Sequence, residues 1–315
     1  MKVLVSCPPM LRLMDEFEPT FVHAKVDAVR AKVVQIMSED ELIAQLPEFD
    51  GWIIGDDPAS RRVFEAGKAG RLKAAVKWGV GVDNVEFAAA RELGIPVINT
   101  PGVFGAEVAD VATGYVIALA RQTLFIDREV RLNNGWPKPA GISLAGKTVA
   151  LVGFGDIGRH TAKRLLASEM RVIAYDPAYR ADAQLPVEHT AWPERIGEAD
   201  FLVFTCPLNP HTRGMFSRAI LPQLKPGVRV VNVGRGPVVE EAALLDGLAS
   251  GIVHSAALEV FEVEPLPANS PLRDHPLCIF GSHNASNTVD AVRRVSRLAI
   301  TLLFERLNLP SPTWS

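Results

Sequence analysis

Residues 147–176 read KTVALVGFGDIGRHTAKRLLASEMRVIAYD. The apolar run over 149–152 predicts a buried parallel strand; Gly153, Gly155 and Gly158 follow at G-x-G-x-x-G spacing and open an amphipathic, helix-forming segment. Each glycine meets a physical demand. The first permits a tight strand-to-helix turn, the second lets backbone N–H groups approach a pyrophosphate, and the third lets the helix lie close on the strand. The anion rests on the helix N-terminus, where unpaired N–H groups and the positive dipole end favour it. A second strand, Arg171–Tyr175, ends in Asp176, eighteen positions beyond Gly158. A carboxylate there accepts both hydroxyls of an adenosine ribose and repels a 2′-phosphate, so NAD is expected over NADP, a preference that nearby Arg180 would soften.

The chain has 315 residues, enough for two domains with sizeable cores. With 48% hydrophobic residues, 22% charged residues and a net charge of -3, it has no basic surplus that would call for nucleic acid or an acidic membrane. Arg121 interrupts the apolar stretch over 115–126, so no transmembrane span is expected, and residues 1–5 read as a strand rather than a leader. Cys7, Cys206 and Cys278 are odd in number and widely spaced in apolar runs, as buried thiols of a reducing cytoplasm would be. No metal-ligand spacing is present.

Residues 1–98 alternate short apolar runs with helical patterns. Strands are expected over 3–7, 32–36, 51–55, 73–78 and 96–98, and helices over 39–46 and 85–93, which together predict a small parallel-sheet domain. After the turn at 99–102, one long helix is expected over 103–126, then an exposed loop over 133–142. Beyond Asp176, strands over 201–205, 228–233, 255–260 and 278–281 predict a second doubly wound sheet, and a last amphipathic helix covers 287–307.

Three strand ends carry chemistry. Asn232-Val233-Gly234-Arg235-Gly236 ends one, Glu259-Val260-Phe261-Glu262-Val263-Glu264-Pro265 the next, and Gly281-Ser282-His283-Asn284-Ala285-Ser286 the last. In a parallel sheet these ends share the cradle's edge, which brings Arg235, Glu264 and His283 towards a nicotinamide. Hydride exchange with a secondary alcohol needs a group that takes and returns a proton, as histidine does. A neighbouring carboxylate orients the ring and favours the imidazolium, and an arginine clamps a substrate carboxylate and polarises its carbonyl. Earlier, Val80 and Gly81 in the run Lys77–Asn84 sit just past a strand, where bare backbone N–H groups could hold a carboxylate.

These stretches, with NTPG (99–102), TCPLNPHTRGMF (205–216), LKPGVRVVNVGRGPVVEEAAL (224–244), LEVFEVEPLP (258–267) and SHNAS (282–286), resemble the D-isomer-specific 2-hydroxyacid dehydrogenase family, in its 3-phosphoglycerate dehydrogenase-like branch. The resemblance implies an α/β fold of two doubly wound parallel-sheet domains with a cleft between them. A flavodoxin-like substrate domain would comprise 1–98 plus 288–315 and a Rossmann NAD domain 99–287. It implies a catalytic Arg235, Glu264 and His283. It also implies NAD contacts at Gly153, Gly155, Asp156, Ile157, Gly158, Asp176, Cys206, Pro207, Thr212, Val233, Gly234, Arg235, Glu259 and His283, and substrate contacts at Lys77, Val80, Gly81 and Arg235. A cytoplasmic homodimer is the usual form.

The chain departs from the family at several positions. Glu259 replaces the nicotinamide-side aspartate, and Phe104 an asparagine at the start of the bridging helix. Gly55-Asp56-Asp57 stands where phosphoglycerate enzymes carry a phosphate-binding arginine, with Lys77 in place of another arginine as partial compensation. The sequence ends at Ser315, so the C-terminal regulatory extension of longer phosphoglycerate dehydrogenases is not expected. The expected function is interconversion of a D-2-hydroxy acid and its 2-keto acid, either 3-phosphoglycerate or unphosphorylated glycerate, hydroxypyruvate or glyoxylate, with the acidic pair tilting away from the first. Two rival readings stay open: a non-catalytic NAD(H)-sensing protein like the C-terminal-binding corepressors that share this fold, and a Rossmann enzyme of other chemistry such as phosphite oxidation.

Overall fold

The computed structural model describes residues 1–314. These form two compact units, Met1–Phe104 with the segment from Asn287 onward, and Gly105–Ser286.

The first unit runs β1 (Lys2–Val5), α1 (Pro8–Arg12), α2 (Met14–His23), β2 (Asp27–Arg30), α3 (Glu39–Gln45), β3 (Gly51–Ile54), α4 (Arg61–Ala69), β4 (Ala74–Lys77), α5 (Phe87–Glu92) and β5 (Val97–Asn99). Its five parallel strands lie in the order β2-β1-β3-β4-β5, the flavodoxin-like arrangement. Trp52 and Phe64 meet edge to face in its core at 6.3 Å. The unit continues past residue 98 because Thr100 Oγ1 accepts the Gly79 N–H at 2.7 Å and Phe104 packs on Trp78, with ring centroids 5.5 Å apart. Phe104, which stands in place of an asparagine, is therefore a core residue.

One expectation for this unit needs correction. The second strand is Asp27–Arg30 and not 32–36: Asp27 pairs with Lys2 directly after α2, which leaves Val34 beyond the sheet and 99% exposed. Residues 8–23 are helical although two prolines open them. Pro8 and Pro9 occupy the first turn of α1, where no N–H is needed.

The second unit runs α6 (Gly105–Arg121), α7 (Thr123–Leu132), β6 (Thr148–Val152), α8 (Asp156–Ala167), β7 (Arg171–Tyr175), β8 (Glu188–His189), β9 (Phe201–Phe204), β10 (Val228–Asn232), α9 (Glu241–Ser250), β11 (Val253–Leu258) and β12 (Ile279–Phe280). The helix expected over 103–126 is two, because Gln122 adopts a left-handed φ of 54° that α-helix cannot continue through. Seven parallel strands lie in the order β12-β11-β10-β9-β6-β7-β8. Successive connections run to opposite sides of β6, so the order reverses between β6 and β9, where open sheets of this kind bind their ligands. β6, TVALV, is buried at every position, as a central strand covered on both faces must be.

The last helix, α10 (Val289–Arg306), belongs to the first unit and lies against β3 and β4. Thr288 caps it by accepting the Ala291 N–H at 3.1 Å. Val292, Val295, Ala299 and Leu303 form its buried stripe, and Ser296 accepts the Trp78 indole N–H at 3.1 Å. No helix among the described residues is long and apolar enough to cross a membrane.

Candidate active site

The glycine turn closes tightly between β6 and α8. Gly153 has φ +95°, and a Cβ there would lie 2.8 Å from the Cys206 backbone nitrogen, while a Cβ at Gly158 would fall 2.2 Å from the Gly153 carbonyl oxygen. Gly155, in contrast, faces open space. This is the shape a pyrophosphate requires: the outer glycines press strand, helix and neighbouring strand together, and the middle one leaves a gap before the first N–H groups of α8, including those of Asp156 and Ile157. Asp176 ends β7 beside it. Its Oδ2 accepts the Phe154 N–H at 2.6 Å and its Oδ1 the Ala178 N–H at 2.8 Å. A carboxylate has about four acceptor sites, so capacity for ribose hydroxyls remains after these two bonds. The residues present fit NAD.

Across the β6/β9 reversal, Thr205 Oγ1 donates to the Gly153 carbonyl at 2.9 Å, which fixes the backbone of the following Cys206 and Pro207. Thr212 folds back on that loop, its hydroxyl donating to the Pro207 carbonyl at 2.7 Å. Burial pushes the Cys206 thiol up to about 12, so it takes no part as a thiolate. At the end of β10, Asn232 staples the next turn: its Oδ1 accepts the Gly234 N–H at 3.1 Å and its Nδ2 donates to the Arg235 carbonyl at 3.0 Å. Val233 is buried beneath, and the half-buried Arg235 donates from Nη1 to the Gly234 carbonyl at 2.9 Å.

Glu264 and His283 meet on the adjoining loops. His283 Nδ1 lies 2.7 Å from Glu264 Oε2, and Glu264 Oε1 accepts the Phe261 N–H at 2.9 Å. The Arg235 loop touches the same segment, since a Cβ at Gly236 would fall 1.8 Å from the Phe261 carbonyl oxygen. Burial alone raises the Glu264 carboxyl; the bond to and charge of His283, the Phe261 N–H and the Arg235 charge outweigh it and hold the group below the ordinary carboxylate range. Arg235, Glu264 and His283 are thus one electrostatic cluster on adjacent strand ends.

Glu259 is bonded within the chain on both carboxylate oxygens. It is 3% exposed, its Oε1 accepts the N–H groups of Asn284 and Ala285 at 2.5 and 2.8 Å, and its Oε2 accepts the Tyr115 hydroxyl at 2.5 Å. Tyr115 and Asn232 carry no role in the motif reading. Asn232 could have been found from its place two residues before the glycine that it holds, whereas nothing local in α6 marks Tyr115.

In the first unit, Gly79 has φ +112° and is held by Thr100 on both its N–H and its carbonyl. The next two N–H groups, of Val80 and Gly81, donate to no acceptor among the described residues. Successive bare N–H groups of this kind form an anion-binding concavity. Lys77 is buried, and its Nζ donates to the Gly55 carbonyl at 2.6 Å and pairs with Asp56 at 2.9 Å. The two aspartates of the expected acidic pair lie in different surroundings. Asp56 is exposed, but Asp57 is fully buried, accepting from the Met37 N–H, the Gly55 N–H and the Ser6 hydroxyl.

Residues 113–285 match the sequence model of the D-isomer specific 2-hydroxyacid dehydrogenase, NAD binding domain. A hydroxypyruvate reductase of Thermotoga maritima is 37% identical over 280 residues, covering 87% of this chain and 90% of its own. A D-3-phosphoglycerate dehydrogenase of Mycobacterium tuberculosis is 34% identical over 291 residues, covering 91% of this chain; the chain spans only 54% of that relative's length. The crystal structure of a Thermus thermophilus protein superposes with a TM-score of 0.85 at 30% identity, covering 99% of this chain and 100% of that one. The cradle, the strand-end cluster and these likenesses agree: the chain belongs to the D-isomer specific 2-hydroxyacid dehydrogenase family, and its second unit carries that family's NAD-binding domain.

Proposed function

We propose that the chain is an NAD-dependent oxidoreductase that interconverts a D-2-hydroxy acid and its 2-keto acid, with an unphosphorylated short acid of the hydroxypyruvate, glycerate or glyoxylate class as substrate. The observation that carries the chemistry is the 2.7 Å pairing of His283 with Glu264 on strand ends of the same parallel sheet that carries the dinucleotide cradle. NAD supplies or accepts a hydride at its nicotinamide ring. The backbone from Gly153 to Gly158 holds its pyrophosphate, Asp176 its ribose, and the Cys206-Pro207 and Val233-Gly234 backbones, braced by Thr212, border it. Arg235 clamps the substrate carboxylate and polarises the adjoining carbonyl. His283, held at Nδ1 by Glu264, uses Nε2 to protonate the carbonyl oxygen in reduction and to take the hydroxyl proton in oxidation. In the first unit, the bare N–H groups of Val80 and Gly81 are suited to a carboxylate.

Charge at the strand ends of the first unit supports an unphosphorylated substrate. Lys77, the cation available to a phosphate there, is already engaged by Asp56, and the Asp56 carboxylate itself is exposed. The Thermotoga maritima relative, matched over nine-tenths of its length, bears the name hydroxypyruvate reductase. The test is NADH consumption against hydroxypyruvate, its 3-phospho form, glyoxylate, pyruvate and longer 2-keto acids. Highest kcat/KM for hydroxypyruvate or glyoxylate is expected; preference for the phosphorylated acid would overturn the substrate assignment. Asp56→Ala is expected to raise the ratio of kcat/KM for the phosphorylated over the unphosphorylated acid roughly fivefold, the scale of about 1 kcal/mol for one exposed charge pair. An unmoved ratio would remove Asp56 from substrate choice.

Asp176→Ala is expected to shift the NADP/NAD preference by roughly tenfold or more, since it removes charge-assisted bonds to the ribose together with the repulsion of a 2′-phosphate. Unchanged discrimination, measured as the ratio of kcat/KM for the two cofactors, would leave Asp176 only its backbone bonds. The three cysteines are buried and unpaired, which suits the reducing cytoplasm. Leu124 and Leu132 on α7 and Trp136 beyond it are exposed apolar residues suited to burial in a homodimer.

A further inference from the structure

We propose that Glu259 is a positioning residue: gripped by Tyr115 and given room by Gly281, it sets the turn that carries His283 instead of touching the nicotinamide. This rests on the dehydrogenase reading above.

The geometry is closed around the carboxylate. One oxygen takes two consecutive N–H groups, of Asn284 and Ala285, and the other takes the Tyr115 hydroxyl. The main chain adds to the grip, since the Glu259 carbonyl accepts the His283 N–H at 2.9 Å and the Glu259 N–H donates to the Asn232 carbonyl at 2.9 Å. His283 has φ +57°, a left-handed conformation that a non-glycine residue keeps only when its surroundings impose it. Bonds on residues 283, 284 and 285 supply that constraint, and all three come from Glu259. Tyr115 stays a donor, because burial and the bonded carboxylate push its phenol well above its ordinary value.

Gly281 makes the arrangement possible. A Cβ at that position would lie 1.9 Å from Glu259 Oε2 and 2.6 Å from the Tyr115 hydroxyl. Any side chain at 281 therefore expels the glutamate from its seat. An aspartate at 259 would be one methylene shorter and would withdraw its oxygen from that collision. The longer acid and the missing side chain are complementary, and the same lengthening lets the carboxylate reach the 284–285 N–H groups and Tyr115 together.

The test uses the full chain in three variants: Tyr115→Phe, Gly281→Ala, and Gly281→Ala combined with Glu259→Asp. For each, kcat, KM for the keto acid, the pH profile, the Kd for NADH and the thermal midpoint are measured. Tyr115→Phe and Gly281→Ala are expected to lower kcat about 10- to 100-fold, the cost of misplacing a reacting group by an ångström or less. NADH affinity should stay within about twofold, because no bond to the nicotinamide is lost. The alkaline limb of the reduction profile should move, as it would not if Glu259 served only the core. Glu259→Asp should recover part of the loss caused by Gly281→Ala, which makes the two changes non-additive.

Parallel loss of NADH affinity and kcat in Tyr115→Phe would overturn the proposal in favour of a direct nicotinamide contact. Wild-type kcat and pH profile in the same variant would overturn it as well. Should Gly281→Ala fail to fold, Tyr115→Phe decides, because it removes one oxygen and keeps the ring. Failure of the dehydrogenase reading itself looks different: the unaltered chain would turn over no keto acid at all.

Discussion

His283→Ala is expected to lower kcat for keto-acid reduction by about 10²- to 10⁴-fold, the usual range for removing a general acid, while NADH should still bind with near-normal affinity. The cofactor cradle is built from Gly153 to Gly158, Asp176 and the Cys206 backbone, none of which leans on the imidazole. The lost turnover therefore reports the proton and not the cofactor. Stopped-flow turnover and NADH fluorescence titration separate the two; near-normal turnover in the variant would remove His283 from the proton path. The pH dependence of the unaltered enzyme supplies the companion result. Reduction needs a proton from His283 and oxidation needs His283 to accept one, so the two directions are expected to show opposite pH trends in kcat/KM. Glu264 is held below the ordinary carboxylate range, so it remains ionised until pH drops through that lowered value. The stability that its pairing contributes is present above the ordinary carboxylate range and is lost as pH falls through the lowered one. Acid should therefore loosen the His283 loop by discharging Glu264.

What could be read in the chain and what could not divides along physical lines. Strand-length apolar runs and glycine spacing are local signals, so the β6–α8 turn, Asp176 and the strand ends bearing Arg235, Glu264 and His283 are all legible before any coordinates. The helices over 8–23 are not, because a double proline reads as a breaker unless it falls in the first turn, where α1 places it. Asp56 and Asp57 look equivalent in sequence. Only the fold separates a carboxylate buried among N–H donors from one left exposed beside Lys77. Tyr115 and Glu259 are 144 residues apart and join only where α6 packs against β10 and β11, so the Glu259 substitution could be seen and its partner could not. The left-handed backbone at His283 is likewise a product of tertiary bonds, with no propensity to announce it.

Arg235→Ala is expected to give the second large loss, about 10²- to 10³-fold in kcat/KM for the keto acid, the scale seen when a preorganised donor to a developing oxyanion is removed. The side chain contributes one bond to the turn that it leaves, from Nη1 to the Gly234 carbonyl. The Asn232 side chain still holds the Gly234 N–H and the Arg235 carbonyl in the variant, so the loop and its NADH affinity are expected to survive. On the proposed role, two contributions should be lost together. The substrate carboxylate loses a planar, two-pronged partner, which raises KM, and the carbonyl loses the positive charge that favours it as it gains electron density, which lowers kcat. Arg235→Lys restores charge without the fork and should recover kcat more than KM. Guanidinium added to the alanine variant should restore part of the rate in a saturable way, because the space vacated fits it. The charge also acts on Glu264, which it helps to keep ionised. Losing it should let the Glu264 carboxyl rise and move the acid limb of the profile upward in pH in the alanine variant, but not in the lysine variant. An alanine variant with unchanged KM and an unmoved acid limb would separate Arg235 from both substrate and dyad, and would leave His283 and Glu264 to act without a carboxylate clamp.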